Sequence, residues 1–240
     1  MKAYYNAKIF TGTDIVTNKA VIISGDVIDS IVDEKKIPAG AERIDLKNQY
    51  LAPAFTDIQI YGGNGRLFSN ELSEEAIAST YQYCLSGGAA HFVITLATNT
   101  MEVFLKGMEA VKKYWASGGK GLLGLHLEGP YINPVKKGAH LENCIKRPTA
   151  DEVNMLLSHG KGVIKIMTLA PEQCDPGIIS LLTKNGVIVS TGHSNATYEE
   201  ATNAFNNGIP IATHLFNAMS PLAHRAPGLR DHQDPARRVD

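Results

Sequence analysis

The first 53 residues have the pattern of short strands separated by turns. Apolar side chains recur within "KAYYNAKIF", "KAVIIS" and "VIDSIV", and "ERIDL" leads into "QYLAP". No stretch there has a helical period, and Gly25 and Pro38 interrupt the pattern. We therefore predict a small β domain over residues 1–53. Because a unit of about 50 residues is marginally stable alone, we expect it to pack on another part of the protein or to be completed by further strands.

The pattern changes over residues 54–240. Six nearly continuous apolar runs alternate with segments of helical period, and these runs are "FTDIQI", "HFVITL", "GLLGLHLE", "VIKIMTL", "GVIVST" and "IPIATHL". Strands of this kind, each followed by a helix, predict a parallel sheet whose outer face is covered. The pattern fits either a doubly wound sheet or a (β/α)8 barrel, and both folds place ligand chemistry at the carboxyl ends of the strands.

Three helix starts are marked in this second domain. Thr149 with Glu152 and Thr197 with Glu200 have the spacing of capping boxes, and the Asp-Pro pair at 175–176 suits the start of a helix. A further helix is predicted over "MEVFLKGMEAVKKYW". Its apolar face holds Val103, Met108, Val111 and Trp115.

Composition excludes several classes of protein. The 240 residues are 44% hydrophobic, enough for a sizeable core, and 23 basic and 24 acidic side chains give a formal net charge of -1. The net charge therefore gives the protein no overall attraction for nucleic acid or an anionic membrane surface. Three widely spaced cysteines outside any CxxC pattern argue against a disulfide framework, and neither a signal peptide nor a membrane span is recognisable. We expect a cytoplasmic protein.

Three of the predicted strands end in residues that bind metal ions. Glu128 ends "GLHLE", His193 follows "VIVSTG", and His214 follows "IPIAT". Parallel strands bring these ends to one rim, and a carboxylate with two imidazoles suits Zn²⁺, Fe²⁺, Co²⁺ or another divalent ion with a position left for water or substrate. Each residue alone has a simpler explanation as a hydrogen-bonded histidine or an ion-paired glutamate. Their coincidence at one rim favours a catalytic type of metal site.

Polar loops after these strand ends supply further candidates. "KKGAH" contains His140, and "HLFNAMSPLAHRAPG" places Asn217 and Arg225 behind His214. An arginine with backbone N–H groups beside a metal suits an anionic substrate, most simply a phosphate. "YGGNGR" at residues 61–66 matches no nucleotide-binding motif, so we expect a loop that shapes the mouth of the site.

Four motifs in this order, "LAPAFTDIQIYGG", "HLEGPYINPVKKGAH", "STGHSNATYEEA" and "THLFNAMSPLAHRAPG", carry a resemblance that covers residues 2–229. The chain resembles the N-acetylglucosamine-6-phosphate deacetylase family of the amidohydrolase superfamily. The resemblance implies an α/β fold in which a metal-dependent (β/α)8 TIM-type barrel is joined to a small β-sandwich built from both chain termini. This chain would contain about six βα units of the barrel and the N-terminal part of the sandwich.

The resemblance also implies roles for single residues. The implied ligands of one divalent ion, Zn²⁺ first among the candidates, are Glu128, His193 and His214. The implied substrate contacts are Ala139, His140, Asn217, Ala218 and, for the phosphate, Arg225. The implied reaction is hydrolysis of N-acetyl-D-glucosamine 6-phosphate to D-glucosamine 6-phosphate and acetate in amino-sugar catabolism, by a homodimer.

The sequence departs from the family pattern in two places. Gln59 and Tyr61 stand where many amidohydrolases have two histidines, so we predict a site for a single metal ion. "LRDHQDPARRVD" shows no seventh strand, and the aspartate that transfers protons in the family has no counterpart in this chain. We therefore expect the 240 residues alone to lack useful deacetylase activity and to aggregate or depend on partners.

Two alternatives stay open. One is another amidohydrolase that acts on a cyclic amide, which is disfavoured because Glu128 takes the place of a carboxylated lysine in that branch. The other is a protein that binds a phosphosugar without catalysis.

Overall fold

The computed structural model describes residues 1–221 and 228–229. The chain divides into two compact units, Met1–Phe55 and Thr56–Asp240, next to the boundary that the sequence predicts between residues 53 and 54. Within the described residues, no helix combines the length and the apolar character that a membrane crossing requires.

The first unit is a five-stranded sheet. Its strands are β1 (Lys2–Phe10), β2 (Ile15–Val16), β3 (Lys19–Ser24), β4 (Val27–Asp33) and β5 (Glu42–Leu51). β1 pairs antiparallel with β2 and β3 and parallel with β5, while β4 continues the sheet beyond β3. Two small apolar clusters stabilise it, one of Ala3, Ala20 and Ile22 and the other of Ala7, Ile9 and Val21.

β5 joins the predicted segment "ERIDL" to the beginning of "QYLAP" in one strand. Its pairing with β1 shifts register between Tyr5 and Ala7, and Asn6 there has a φ of 53°. Opposite this point Lys47 and Asn48 have φ angles of 51° and 61°. The irregularity takes up the extra residues, so the strand continues through polar positions that hide its alternation in the sequence.

The second unit contains the remaining strands and the α-helices α1 to α6. In chain order they are β6 (Phe55–Ile60), β7 (Gly62–Gly63), β8 (Arg66–Leu67), α1 (Phe68–Glu71), α2 (Glu74–Ser86), β9 (Ala89–Ala97), α3 (Met101–Ala116), β10 (Leu122–Glu128), α4 (Ala150–His159), β11 (Ile164–Leu169), α5 (Pro176–Lys184), β12 (Ile188–Thr191), α6 (Tyr198–Asn206) and β13 (Ile211–Ala212). The six predicted apolar runs correspond to β6 and β9 to β13.

Strand order decides between the two folds that the sequence pattern allows. The main sheet has the order β13-β12-β11-β10-β9-β6, and neighbouring strands from β9 to β13 are parallel. A doubly wound sheet reverses its strand order at a switch point, whereas a barrel adds each strand beside the previous one. The sheet is therefore a curled parallel half-barrel, as the resemblance implies.

The segment "YGGNGR" forms a hairpin rather than an irregular loop. β7 and β8 pair antiparallel, with Gly62 opposite Leu67 and Gly63 opposite Arg66. Asn64 and Gly65 between them both have positive φ, at 54° and 77°. This is the backbone of a two-residue hairpin turn, for which an Asn-Gly pair is the strongest short-range signal.

Of the two predicted capping boxes, one is complete. The Thr197 hydroxyl accepts the backbone N–H of Glu200, and the Glu200 carboxylate accepts the backbone N–H of Thr197. Thr149 likewise accepts the backbone N–H of Glu152, but the Glu152 carboxylate instead accepts the hydroxyl of Tyr131. The second box is half formed because a tertiary contact competes for its carboxylate.

Helix α3 packs one face on the main core. Phe104, Met108 and Val111 are fully buried, whereas the predicted face residues Val103 and Trp115 lie only partly buried at its edge. The buried face is therefore turned toward Phe104 relative to the predicted one.

Candidate metal centre and substrate pocket

The three predicted metal ligands come together at the carboxyl ends of the parallel strands. Glu128 is the last residue of β10, His193 follows β12, and His214 follows β13. The Glu128 side chain is 1% exposed and that of His193 is 6% exposed. A buried carboxylate needs strong hydrogen bonds or a cation to offset the loss of hydration.

Both oxygens of Glu128 accept hydrogen bonds from neutral donors on β6 and the residue after it. The Gln59 amide donates to Oε1 at 2.9 Å, and the Tyr61 hydroxyl donates to Oε2. Burial, and then the bond to the Glu128 carboxylate, raise the pKa of Tyr61, so it stays a donor. The two residues that replace a pair of histidines thus orient the carboxylate.

Hydrogen bonds also control the charge of Glu128. Burial alone would raise the pKa of its carboxyl group, but polar contacts with three histidine rings and the Tyr61 hydroxyl outweigh burial and hold the pKa well below its usual range. The shortest histidine contact joins His214 Nε2 to Glu128 Oε1 at 2.7 Å, and it raises the pKa of His214. Glu128 is therefore an anion at the end of β10.

His193 has the tautomer that a metal ligand needs. Its Nδ1–H donates to the carbonyl oxygen of Lys136 at 2.8 Å, which leaves the lone pair on Nε2. Among the described residues this Nε2 is a buried polar atom without a hydrogen-bond partner. It lies 3.4 Å from Glu128 Oε1. A buried lone pair beside a carboxylate is chemically suited to a cation.

His140 has the opposite tautomer. Its Nδ1 accepts the backbone N–H of Thr98 at 3.3 Å and lies 2.6 Å from the Thr98 hydroxyl, so the proton of the neutral ring is on Nε2. That Nε2 lies 3.5 Å from Glu128 Oε2. Ligand atoms of Glu128, His140 and His193 all lie within 4.8 Å of one another. Proximity alone would make His140 a ligand, but its proton makes it a hydrogen-bond donor instead.

The donor set fits a divalent cation. One carboxylate oxygen, the free Nε2 of His193 and the Nε2 of His214, once it has lost its proton, give the mixed oxygen and nitrogen ligands typical of a catalytic zinc site. His214 and His193 both have positive φ, at 59° and 49°, so local backbone turns direct these rings toward the strand end. The residues present are compatible with one ion.

The candidate ligands open into a cavity of about 590 Å³. Four of the predicted substrate residues also line it, namely Ala139, His140, Asn217 and Ala218. The fifth, Arg225, lies outside the described residues. The loop after β10 and the loop after β13 thus share one pocket with the candidate metal ligands.

A chain of buried hydrogen bonds crosses the sheet close to this site. His126 Nδ1–H donates to the carbonyl oxygen of Ile58 at 3.3 Å, and Nε2 accepts the Thr168 hydroxyl at 2.7 Å. Thr168 Oγ1 lies 2.8 Å from Thr213 Oγ1, which lies 2.7 Å from Ser190 Oγ. Burial lowers the pKa of His126 to about 4, so the ring is neutral. His126 is a packing residue within this series of buried hydrogen bonds.

Sequence reasoning missed two residues that support the site. Thr98 sets the tautomer of His140, and Glu172 accepts hydrogen bonds from the segment after His193. The "APE" run in which Glu172 lies ends an apolar strand as "HLE" does, so its position at the rim was a usable signal.

Comparisons with known proteins agree with the motifs. A family model described as the NagA composite domain matches residues 1–51. N-acetylglucosamine-6-phosphate deacetylase of Haemophilus influenzae is 35% identical over 221 residues, which cover 92% of this chain and 58% of that protein. The crystal structure of N-acetylglucosamine-6-phosphate deacetylase from Pasteurella multocida matches with a TM-score of 0.90 at 34% identity, covering 95% of this chain and 60% of that one.

A second solved structure contains a ligand. It is a mutant of N-acetyl-D-glucosamine-6-phosphate deacetylase from Mycobacterium smegmatis in complex with N-acetyl-D-glucosamine-6-phosphate, and it matches with a TM-score of 0.85 at 29% identity. The match covers 95% of this chain and 59% of that one. The chain thus spans less than two thirds of the length of these relatives.

The fold is of the amidohydrolase type, as in these solved structures. The comparisons indicate which family within this class the chain resembles. The chain resembles the N-acetylglucosamine-6-phosphate deacetylases over nine tenths of its length, so the resemblance predicted from its motifs is confirmed. The family implies a divalent metal ion, and the residues described above fit one.

Proposed function

We propose that the whole protein hydrolyses N-acetyl-D-glucosamine 6-phosphate to D-glucosamine 6-phosphate and acetate. The observation that carries the proposal is the buried, unpartnered Nε2 of His193 beside the Glu128 carboxylate, in a pocket that opens toward His140. The family relationship supplies the substrate class. We further propose zinc as the ion, because a carboxylate and two imidazoles suit Zn²⁺, although the same ligands also bind Fe²⁺ and Co²⁺.

Glu128, His193 and His214 would hold the ion at the strand ends. When bound, the ion acts as a Lewis acid toward the acetyl carbonyl and lowers the pKa of water. Gln59 and Tyr61 keep the Glu128 carboxylate in place by donating to its two oxygens. Because both are neutral donors rather than imidazole ligands, we propose that the site takes a single ion.

His140 would bind the substrate through the proton on Nε2. Thr98 holds that proton on Nε2 by donating to Nδ1, so the ring presents a donor to the pocket. An amide carbonyl oxygen is the complementary acceptor. We propose that Ala139, Asn217 and Ala218 contact the sugar phosphate and that Arg225 binds its phosphate.

Binding and hydrolysis are tested separately, because the chain spans less than two thirds of the length of its relatives. Calorimetry with the zinc-loaded chain is expected to show binding of N-acetylglucosamine 6-phosphate and weaker binding of unphosphorylated N-acetylglucosamine. Release of acetate is expected from the whole protein. The proposal is wrong if zinc-loaded whole protein releases no acetate, and Glu128→Gln is the control that removes the ligand charge.

The two alternatives give different outcomes in the same assays. Hydrolysis of dihydroorotate in place of the phosphosugar would indicate an amidohydrolase for cyclic amides. Calorimetric binding of the phosphosugar with no hydrolysis by the whole protein would indicate a binding protein. We also propose a homodimer, which sedimentation velocity of the whole protein would test.

A further inference from the structure

The carboxylate of Glu172 is a junction between loops of the second unit. It lies in the turn Pro171–Gln173 after β11. Its Oε1 accepts the Asn133 side-chain N–H at 3.0 Å and the Asn195 backbone N–H at 2.6 Å. Its Oε2 accepts the Ser194 hydroxyl at 2.7 Å. One half-buried side chain therefore holds the loop after β10 and the loop after β12.

Two of its three partners are more buried than Glu172 itself. Ser194 is 0% exposed and Asn133 is 8% exposed. Within residues 1–221 and 228–229, no lysine, arginine or histidine nitrogen forms an ion pair with Glu172. The carboxylate is thus satisfied by neutral donors from two other loops, a pattern typical of a structural junction.

The same two loops also meet at His193. The Asn133 backbone N–H donates to the His193 carbonyl oxygen at 2.9 Å, and His193 Nδ1–H donates to the Lys136 carbonyl oxygen at 2.8 Å. The bond to Lys136 is the one that leaves Nε2 of His193 free for a cation. Any shift of the loop after β10 would therefore change the orientation of the His193 ring.

The loop after β13 joins the same junction through Ser194. The Ser194 backbone N–H donates to the Ala218 carbonyl oxygen at 3.2 Å, and the Ser194 carbonyl oxygen accepts the Ser220 N–H at 3.1 Å. Ala218 lines the substrate pocket. All three loops that carry predicted site residues are therefore within one or two hydrogen bonds of Glu172.

His193 has a backbone conformation that needs support. Its φ is 49°, in the left-handed region that residues other than glycine rarely adopt and keep only where their surroundings impose it. The two residues that follow His193, Ser194 and Asn195, both donate to Glu172. Glu172 thus fixes the chain directly after the strained residue.

We propose that Glu172 is a positioning residue for the candidate metal centre. It holds His193 in its left-handed conformation and couples that ring to the loop carrying Ala139 and His140. The effect on metal binding rests on the proposed function, whereas the coupling of the loops does not. Glu172 touches neither the cation position nor the pocket, so its action is through His193 and the loops.

Hydrogen–deuterium exchange of the metal-free chain tests the coupling. Glu172→Met removes all three acceptor contacts at nearly the same side-chain length. We expect faster exchange in both residues 133–140 and residues 193–197. Glu172→Gln keeps an amide oxygen for the two N–H donors and an NH₂ group for Ser194, so its exchange should stay close to that of the unsubstituted chain. Faster exchange in residues 193–197 alone would overturn the coupling.

Zinc release to a colorimetric chelator tests the effect on the centre. Loss of a residue that orients a metal ligand typically weakens metal affinity about 10- to 100-fold, and we expect release from Glu172→Met to be faster by that range. Glu172→Gln should restore slow release. The control is Asp175→Asn, which removes an exposed charge nearby that makes no side-chain capping bond. Equal release from Glu172→Met and the control would overturn the positioning role.

A milder substitution guards against loss of folding. Ser194→Ala removes one of the three contacts, and it should give intermediate exchange and intermediate zinc release if Glu172→Met does not fold. If the unsubstituted chain binds no zinc, the metal centre fails while the exchange experiment still decides whether the loops are coupled.

Discussion

At the scale of single residues, proton positions on the histidines decide their roles. The Lys136 carbonyl leaves a lone pair on Nε2 of His193, while the Thr98 N–H leaves a proton on Nε2 of His140. Two imidazoles whose ring centroids are 4.2 Å apart are thus made chemically different by their backbone partners. If either backbone partner moved away, the proton on that ring could change nitrogen, and the ring would change between a metal ligand and a hydrogen-bond donor.

His126 gives a prediction for acid stability. Its pKa of about 4 in the folded chain lies below the value of 6.5 for the unfolded chain, so its neutral form stabilises the fold above pH 6.5 and this contribution is lost as pH falls from 6.5 toward 4. The loss amounts to about 3 kcal/mol in the free energy of unfolding. Urea denaturation of the metal-free chain measures the free energy of unfolding between pH 7 and pH 4. This free energy should fall less steeply with decreasing pH in His126→Gln than in the unsubstituted chain. Parallel pH profiles for the two proteins would contradict it.

Gly129 gives a second prediction at this scale. Its φ is 86°, and a Cβ there would overlap the Thr98 hydroxyl that contacts His140. We expect Gly129→Ala to lower the free energy of unfolding by about 1–2 kcal/mol from the left-handed conformation alone. The matched control is Gly177→Ala in α5, where a Cβ has open space and should leave stability equal or higher. Equal effects of both substitutions in urea unfolding would rule this out.

Residue types at strand ends were predictable from the sequence, but their orientation was not. Glu128, His193 and His214 follow apolar runs, so their meeting at one rim could be predicted from the rule for parallel strands. Glu172 also follows an apolar run, yet its partners Asn133 and Ser194 are polar residues in loops with no periodicity. Loop geometry depends on tertiary contacts, which spacing does not encode.

At the scale of elements, strong local sequence patterns predicted the right structures, whereas tertiary contacts altered elements whose patterns were weaker. Apolar runs predicted all six main strands, and the complete capping box begins α6. The half-formed box of α4 shows a tertiary bond from Tyr131 taking the carboxylate of Glu152. The hairpin at residues 62–67 was predictable from Asn64-Gly65, but the strands beside this turn lack the alternation of apolar and polar residues that marks a hairpin.

The α6 capping box gives a prediction at this scale. Thr197→Ala removes the acceptor for the backbone N–H of Glu200 and should lower the free energy of unfolding by about 1 kcal/mol. Thr197→Ser keeps the hydroxyl and serves as the control. Chemical denaturation at neutral pH measures both, and an unchanged midpoint for Thr197→Ala would show that the box contributes nothing to stability.

At the scale of the whole molecule, the candidate ligands connect strands that are far apart in sequence. A cation would bind Glu128 at the end of β10, His193 after β12 and His214 after β13 of the second unit. Metal binding should therefore stabilise the second unit.

In the first unit, Val27 and Ile28 are 66% and 65% exposed on β4, and the completion of this unit by further strands stays a prediction.

Zinc should raise the stability of the chain by mass action. At a free concentration of about 100 times Kd, a ligand that binds only the folded state adds about 2.7 kcal/mol to the free energy of unfolding. We expect calorimetric Tm to rise with zinc in the unsubstituted chain and to stay constant in Glu128→Gln. A similar rise in both proteins would place the zinc elsewhere.

The buried chain of hydrogen bonds from Ser190 to His126 has a consequence for how the sheet assembles. A strand that paired one residue out of register would turn its hydroxyl to the opposite face and break the chain at that point. Each buried group left without a partner costs about 1–3 kcal/mol. These polar side chains therefore discriminate against misaligned sheets, and they select one alignment of β10 to β13 among arrangements that apolar packing alone would tolerate.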